Sequence, residues 1–219
     1  MNVLFDLDGT LTDPREGILA CFKHALEKLQ VAAPTDRELE RFIGPPLRES
    51  FLTLCGSNDK GIIEQAVWLY RERFATKGMF ENRIYSGIAD ALARFQQARV
   101  QLFVVTSKAR LFAEPIVEHF GLRRFFLSVH GSELDDSYAD KSELIAKVLR
   151  SESLTPDETV MIGDRAHDVI GAKANGVVSV GALWGFGSRE ELVSAGAERL
   201  CEVPNKLVDT VCFGRAGVS

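Results

Sequence analysis

The chain of 219 residues is 46% hydrophobic, 26% charged and 9% aromatic, the balance of a soluble globular protein, which excludes a disordered chain and a membrane protein. At about 100–150 residues per domain, this length suits one large domain, or one domain carrying a smaller insertion. Lys+Arg 26 against Asp+Glu 31 leave a formal charge of −5, which argues against a nucleic-acid polymer or an anionic membrane as partner and leaves room for a local anion site. Cys21, Cys55, Cys201 and Cys212 lack any C-x-x-C spacing and signal neither a zinc cluster nor a disulfide framework. The N-terminus places Asp6 where a secretory signal needs its apolar region, and no run approaches the ~18 apolar residues of a membrane span, so a cytoplasmic location is expected.

Val3-Leu4-Phe5 is a short apolar run that stops at Asp6-Leu7-Asp8-Gly9-Thr10, and it reads as a buried strand ending in a loop. From Arg15 to about Lys77 the pattern is helical: Ile18, Phe22, Ala25, Leu26 and Leu29 recur at helical spacing, as do Ile62, Ile63, Ala66, Val67, Tyr70 and Phe74. Thr35 with Glu38 forms a capping-box signature before Leu39, Phe42 and Ile43, and Pro45-Pro46 separates that helix from the next. The stretch is expected to hold four helices and no strand. The aromatic residues Trp68, Tyr70 and Phe74 are read as part of its core.

After Gly78 helices and strands alternate. The pattern predicts helices at about 88–98, 112–120, 142–149 and 169–174, with strands at 100–105, 125–129, 159–162 and 177–180. Such alternation implies parallel strands joined by right-handed helical crossovers, hence a doubly wound α/β sheet. With the first strand in that sheet, residues 1–13 and 84–219 form one discontinuous core and residues 14–83 a smaller, all-helical inserted domain. Thr12-Asp13-Pro14 and the stretch from Gly78 to Arg83 fit hinges.

In open α/β sheets ligands bind beyond the carboxyl ends of the strands. The polar residues at those ends are Asp6 and Asp8, Thr106 and Ser107, and Gly163-Asp164 with Asp168 four residues on, while Lys141 opens a helix between them. Clustered carboxylates repel one another unless a cation joins them, and hard oxygen ligands favour Mg2+. On a phosphate monoester, the Asp6 carboxylate would attack phosphorus, and Asp8 would protonate the leaving alcohol and later deprotonate water. Thr106, Ser107 and the backbone N–H groups opening the next helix would hold the phosphoryl oxygens, with Lys141 offsetting charge. Gly9 permits close backbone approach. Each feature alone has an ordinary structural explanation, as an Asx-rich turn, a strand end or a solvated helix start; their joint placement at one sheet edge carries the reading. His24, His119, His130 and His167 show no metal-ligand pairing.

Asp6-Leu7-Asp8-Gly9-Thr10-Leu11-Thr12-Asp13, Val105-Thr106-Ser107-Lys108, Lys141 and Gly163-Asp164-Arg165-Ala166-His167-Asp168 resemble, in order, the four motifs of haloacid dehalogenase-like hydrolases. The resemblance covers essentially the whole chain, and the helical insertion resembles the family's C1 cap. It implies Asp6 as nucleophile, Asp8 as general acid and base, and Thr106 and Lys141 as phosphoryl ligands. It also implies Mg2+ on the side chains of Asp6 and Asp164 and the backbone carbonyl of Asp8, with Asp168 one shell further out. Phe42-Ile43-Gly44-Pro45-Pro46-Leu47-Arg48-Glu49-Ser50-Phe51, Asp140-Lys141-Ser142-Glu143-Leu144-Ile145 and Trp184-Gly185-Phe186-Gly187-Ser188 resemble the nucleotidase-like branch of the phosphoglycolate phosphatase group. Many phosphoglycolate phosphatases carry Pro after the third-motif Lys, where this chain has Ser142, which tilts the expectation towards nucleoside 5′-monophosphates. The alternatives are a phosphoglycolate phosphatase, a sugar-phosphate phosphatase or phosphomutase, and a non-enzymatic phospho-ligand-binding protein. Arg48, after the Gly44-Pro45-Pro46 turn, either faces the site or is simply an exposed helix residue.

Overall fold

Val3, Leu4 and Phe5 are wholly buried because the strand they form has a neighbour on each side and helices on both faces. The computed structural model of the chain describes residues 1–135 and 137–212. In chain order its elements are β1 (Asn2–Phe5), β2 (Thr12–Asp13), α1 (Arg15–Lys28), α2 (Asp36–Leu39), α3 (Leu47–Cys55), α4 (Lys60–Arg73), β3 (Arg83–Ile84), α5 (Ile88–Gln97), β4 (Gln101–Ala109), α6 (Arg110–His119) and β5 (Ser128–Ser132). Then follow α7 (Lys141–Ser151), β6 (Thr159–Gly163), α8 (Ala166–Ala174), β7 (Val178–Ala182), α9 (Arg189–Ala195), β8 (Arg199–Cys201) and α10 (Leu207–Cys212). The chain divides into two compact units, one of Met1–Asp13 with the chain from Ile84 onward, the other Pro14–Arg83.

The first unit holds a six-stranded sheet in the order β5-β4-β1-β6-β7-β8, parallel throughout. Strand order reverses beside β1, which pairs with β4 on one side and β6 on the other. This switch point leaves a crevice at the carboxyl ends of β1, β4 and β6. Side chains alternate between the two faces of a strand. Leu4 packs with Phe103, Val105 and Met161 under Leu144, Ile145 and Val148 of α7 and Ala172 of α8. Phe5 faces the other way and meets Phe95 and Phe126 edge-on, each with ring centroids 6.0 Å away. Asp6 is next in the alternation and falls on the α7 side, its N–H still donating to the Ile162 carbonyl at 2.9 Å.

In the second unit Phe22 of α1 packs against α3, α4 and the 3-10 turn after α2, its ring lying 5.0 Å from Tyr70, 5.4 Å from Phe51 and 6.1 Å from Phe42. Tyr70 stacks on Phe74, but Trp68 is 61% exposed, which corrects the reading of a three-residue core stripe. Ile63, Val67 and Tyr70 follow at i, i+4 and i+7 and share the buried face of α4, and Trp68 lies on the opposite side. Glu38 accepts from the Thr35 N–H at 2.9 Å and the Thr35 hydroxyl at 2.8 Å, yet the helix it caps lasts one turn and continues as a 3-10 turn through Phe42.

Other differences are local. The strand expected at 125–129 lies at Ser128–Ser132, because Arg123–Phe125 form a 3-10 turn first. Thr12–Asp13 and Arg83–Ile84 form β2 and β3, the two strands of a small separate sheet, too short to register as a periodic pattern. Among the described residues no helix is long and apolar enough to cross a membrane.

Truncating Phe5 leaves a void beneath the loop that begins at Asp6. Phe5→Ala is expected to cost about 3–5 kcal/mol of unfolding free energy, read from denaturant titration; a cost under about 1 kcal/mol would show that the aromatic cluster does not support β1.

Candidate active site

Asp6, Asp8, Thr106, Lys141, Asp164 and Asp168 are all buried; Asp6 and Asp8 follow β1, Thr106 lies in β4 where its pairing register shifts, Asp164 follows β6, and Lys141 and Asp168 stand in the first turns of α7 and α8. Burial of so many charges is costly unless they pair. The Lys141 ammonium lies 2.7 Å from Asp6 Oδ1, 2.8 Å from Asp168 Oδ1 and 3.0 Å from the Val105 carbonyl oxygen. Its place is set by Asp140, whose carboxylate caps α7 by accepting from the N–H groups of Ser142 and Glu143 at 2.8 and 3.0 Å. Sequence reasoning passed over Asp140, although an acidic residue three before Glu143 is itself a capping signal.

Asp164 is held by a shell of backbone. Phe186 N–H donates to its Oδ2 at 2.8 Å, and the Thr10 hydroxyl donates to Oδ1 at 3.3 Å. Gly9 sits at φ +84°, and a Cβ there would fall 2.2 Å from Asp164 Oδ2; one on Gly185 would fall 2.3 Å from the Asp164 Cβ, and one on Gly187 1.9 Å from its carbonyl oxygen. Trp184 Nε1 donates to the Thr10 carbonyl at 3.0 Å and ties the same loop to the first motif. The Trp184-Gly185-Phe186-Gly187 segment is thus part of the site's frame. Gly163 gives Asp168 its space, since a Cβ there would lie 2.1 Å from Asp168 Cγ, and the Arg165 N–H donates to Asp168 Oδ2 at 3.2 Å.

Burial raises the pKa of Asp164 well above the ordinary carboxylate range, with repulsion from Asp6 and Asp168 adding to it and the Phe186 N–H opposing. Burial also raises Asp168, against the pull of Lys141, and raises Asp8, against the pull of Lys108. For Lys141 burial works downward, but attraction to Asp168 and Asp6 outweighs it and the pKa rises. Burial is the first cause in all three carboxylates, since it penalises the charged form; repulsion from neighbouring carboxylates comes second only at Asp164.

The residues fit a divalent cation. Asp6, Asp164 and Asp168 each offer a carboxylate oxygen, all within 4.8 Å of one another, and Asp168 Oδ1, though ion-paired with Lys141, has no hydrogen-bond partner. Asp168, expected one shell further out, is grouped by this geometry with Asp6 and Asp164. The Asp8 carboxylate is turned elsewhere: its Oδ2 pairs with Lys108 Nζ at 2.8 Å, a contact absent from the sequence reading. Four buried carboxylates facing the two ammonium groups of Lys108 and Lys141 leave a formal deficit that one divalent ion would fill.

Thr106 Oγ1 accepts from the Lys108 N–H at 3.3 Å, which leaves its own proton to donate. Ser107 is half-buried, and its carbonyl accepts from Ser132 Oγ at 2.8 Å. Arg48 grips Glu64 within the helical unit, Nε to Oε1 at 2.6 Å and an Nη to Oε2 at 2.9 Å.

The chain is 47% identical over 191 residues to the 5′-nucleotidase of Pseudomonas aeruginosa, a match spanning 87% of this chain and 86% of that protein. It is 38% identical over 185 residues to the tyrosine-protein kinase PtkA of Mycobacterium tuberculosis, spanning 84% of this chain and 62% of the kinase. The crystal structure of a predicted phosphatase from Clostridium acetobutylicum superimposes with a TM-score of 0.93 at 40% identity, covering 97% of this chain and 98% of that one. Residues 3–182 match the haloacid dehalogenase-like hydrolases, and with the carboxylate and lysine framework of the four motifs in place, the chain belongs to that family.

Proposed function

We propose that the protein is a Mg2+-dependent phosphatase that hydrolyses small phosphate monoesters through an aspartyl-phosphate on Asp6, with nucleoside 5′-monophosphates as preferred substrates. The observation that carries the reaction type is the buried ion-pair bridge of Lys141 between Asp6 and Asp168, with Asp8 and Thr106 beside it. The 47% identity to a 5′-nucleotidase supports the choice of leaving group.

In this reading Lys141 fixes the Asp6 carboxylate, and an Asp6 oxygen forms the new bond to phosphorus while the bond to the leaving oxygen breaks. Asp8 delivers the proton that the leaving oxygen needs; burial, which raises its pKa, favours the protonated form that the step requires. Water then attacks the phosphorus, giving a proton back to Asp8 and releasing Asp6. Thr106 donates to a phosphoryl oxygen, and Ser107 and the N–H groups opening α6 lie at the same strand end. A divalent cation on Asp6, Asp164 and Asp168, with the Asp8 carbonyl, would neutralise charge between the nucleophile and the phosphoryl group. The helical unit of residues 14–83 is assigned the role of a cap that selects the leaving group and sheds water.

The decisive assay is phosphate release with Mg2+ present. Asp6→Asn is expected to lower kcat by at least about a thousand-fold, and wild-type turnover in that variant would refute the mechanism. Across one panel, kcat/KM should rank nucleoside 5′-monophosphates above 2-phosphoglycolate and hexose phosphates; a reversed order would retain the chemistry and reject the substrate assignment. Binding is separately visible in stability. Because Asp164 and Asp168 are raised, the metal-free fold takes up protons that the unfolded chain does not, a contribution present at low pH and lost as pH rises through their folded-state values. Mg2+ should therefore raise Tm more at about pH 8 than at about pH 5, and Asp164→Asn should abolish the increment; an undiminished increment in that variant would remove Asp164 from the metal site.

A further inference from the structure

Lys108 lies outside the roles assigned so far, and the chain takes unusual trouble to place it. Along β4 and β5 the ladder runs Phe103 to Ser128, Val104 to Val129, Val105 to His130 and Thr106 to Gly131, and then jumps to Ala109 opposite Ser132. Ser107 and Lys108 are extra residues in a bulge, a device that re-aims side chains at the end of a ladder. The bulge is clamped from both strands. Ser132 Oγ donates to the Ser107 carbonyl at 2.8 Å, and the Lys108 N–H donates to Thr106 Oγ1 at 3.3 Å. Gly131 is required beneath it, since a Cβ there would lie 2.4 Å from the Lys108 carbonyl oxygen. The result brings the Lys108 ammonium to 2.8 Å from Asp8 Oδ2, the two side chains being 8% and 10% exposed. The other Asp8 oxygen is buried without a hydrogen-bond partner.

We propose that Lys108 is the positioning residue for Asp8: through the clamped bulge it fastens one carboxylate oxygen and leaves the other to exchange a proton with the leaving group and with water. The proposal rests on the reading of Asp8 as general acid and base. When Asp6 bonds to phosphorus and the ester bond breaks, the leaving oxygen takes the Asp8 proton and negative charge settles on Asp8. An ammonium 2.8 Å away in surroundings that exclude water offsets that charge far better than solvent would. Lys108 keeps its own protons throughout and touches neither phosphorus nor the leaving oxygen.

A positioning role for the acid shows itself in the leaving group. A nucleoside alcohol must be protonated to depart, whereas p-nitrophenolate departs without help. Lys108→Met is expected to lower kcat/KM for a nucleoside 5′-monophosphate by about a hundred-fold and that for p-nitrophenyl phosphate by no more than about threefold. Ser132→Ala, which keeps the Lys108 side chain but loosens the bulge that places it, should show the same selectivity at smaller amplitude, and it carries the test if Lys108→Met does not fold. Asp8→Asn serves as the reference. If Asp8→Asn discriminates between the esters while the Lys108 and Ser132 variants lower both equally, or raise KM alone for both, Lys108 is structural or a substrate contact and the proposal is overturned. If Asp8→Asn itself fails to discriminate, the acid reading falls and takes this proposal with it.

Discussion

One ammonium group among buried carboxylates organises the site. Without Lys141, Asp6 and Asp168 would be buried charges without a cationic partner, each costing several kcal/mol. With it, a carboxylate from the first strand and one from α8 are tied through the first residue of α7. That bridge links three chain segments that are far apart in sequence. It also leaves the group short of positive charge, because Lys108 and Lys141 cannot balance Asp6, Asp8, Asp164 and Asp168. Burial raises the pKa values of Asp8, Asp164 and Asp168, and the grouped oxygens of Asp6, Asp164 and Asp168 are hard ligands of the kind that could hold a divalent cation.

The backbone around the cluster is shaped by what it must not contain. Gly9, Gly163, Gly185 and Gly187 stand where any side chain would strike Asp164 or Asp168. The loop after β7 gives the Phe186 N–H to Asp164 and the Trp184 indole to the Thr10 carbonyl. A cluster of like charges is tolerated when fixed dipoles surround it, and here the fixing is done by chain from both ends of the α/β unit.

The doubly wound sheet was legible because its strands are short, apolar and separated by helical periods, and because β1 and β6 end in turn formers, Asp6 to Thr10 and Asp164. The gathering of the candidate residues was legible for a related reason: in a parallel sheet, position towards a strand's carboxyl end is enough to bring Asp6, Thr106 and Asp164 to one edge. Contacts that depend on geometry beyond that rule were not. Lys108 reaches Asp8 only because β4 carries a bulge, and no hydrophobic period reports a two-residue slip. Trp68 was misjudged because it lies opposite the face that Ile63, Val67 and Tyr70 share at helical spacing. The one-turn α2, and the paired strands β2 and β3, are too short for any periodicity to mark them.

The central claim is that two displacements occur at phosphorus, the first by Asp6 and the second by water. Stereochemistry tests it most directly. When a phosphate monoester made chiral with oxygen isotopes is hydrolysed in isotopically labelled water, two in-line displacements return inorganic phosphate with net retention of configuration. Retention is the result this account predicts; inversion would mean that water attacks the ester in a single step and that Asp6 is not the nucleophile.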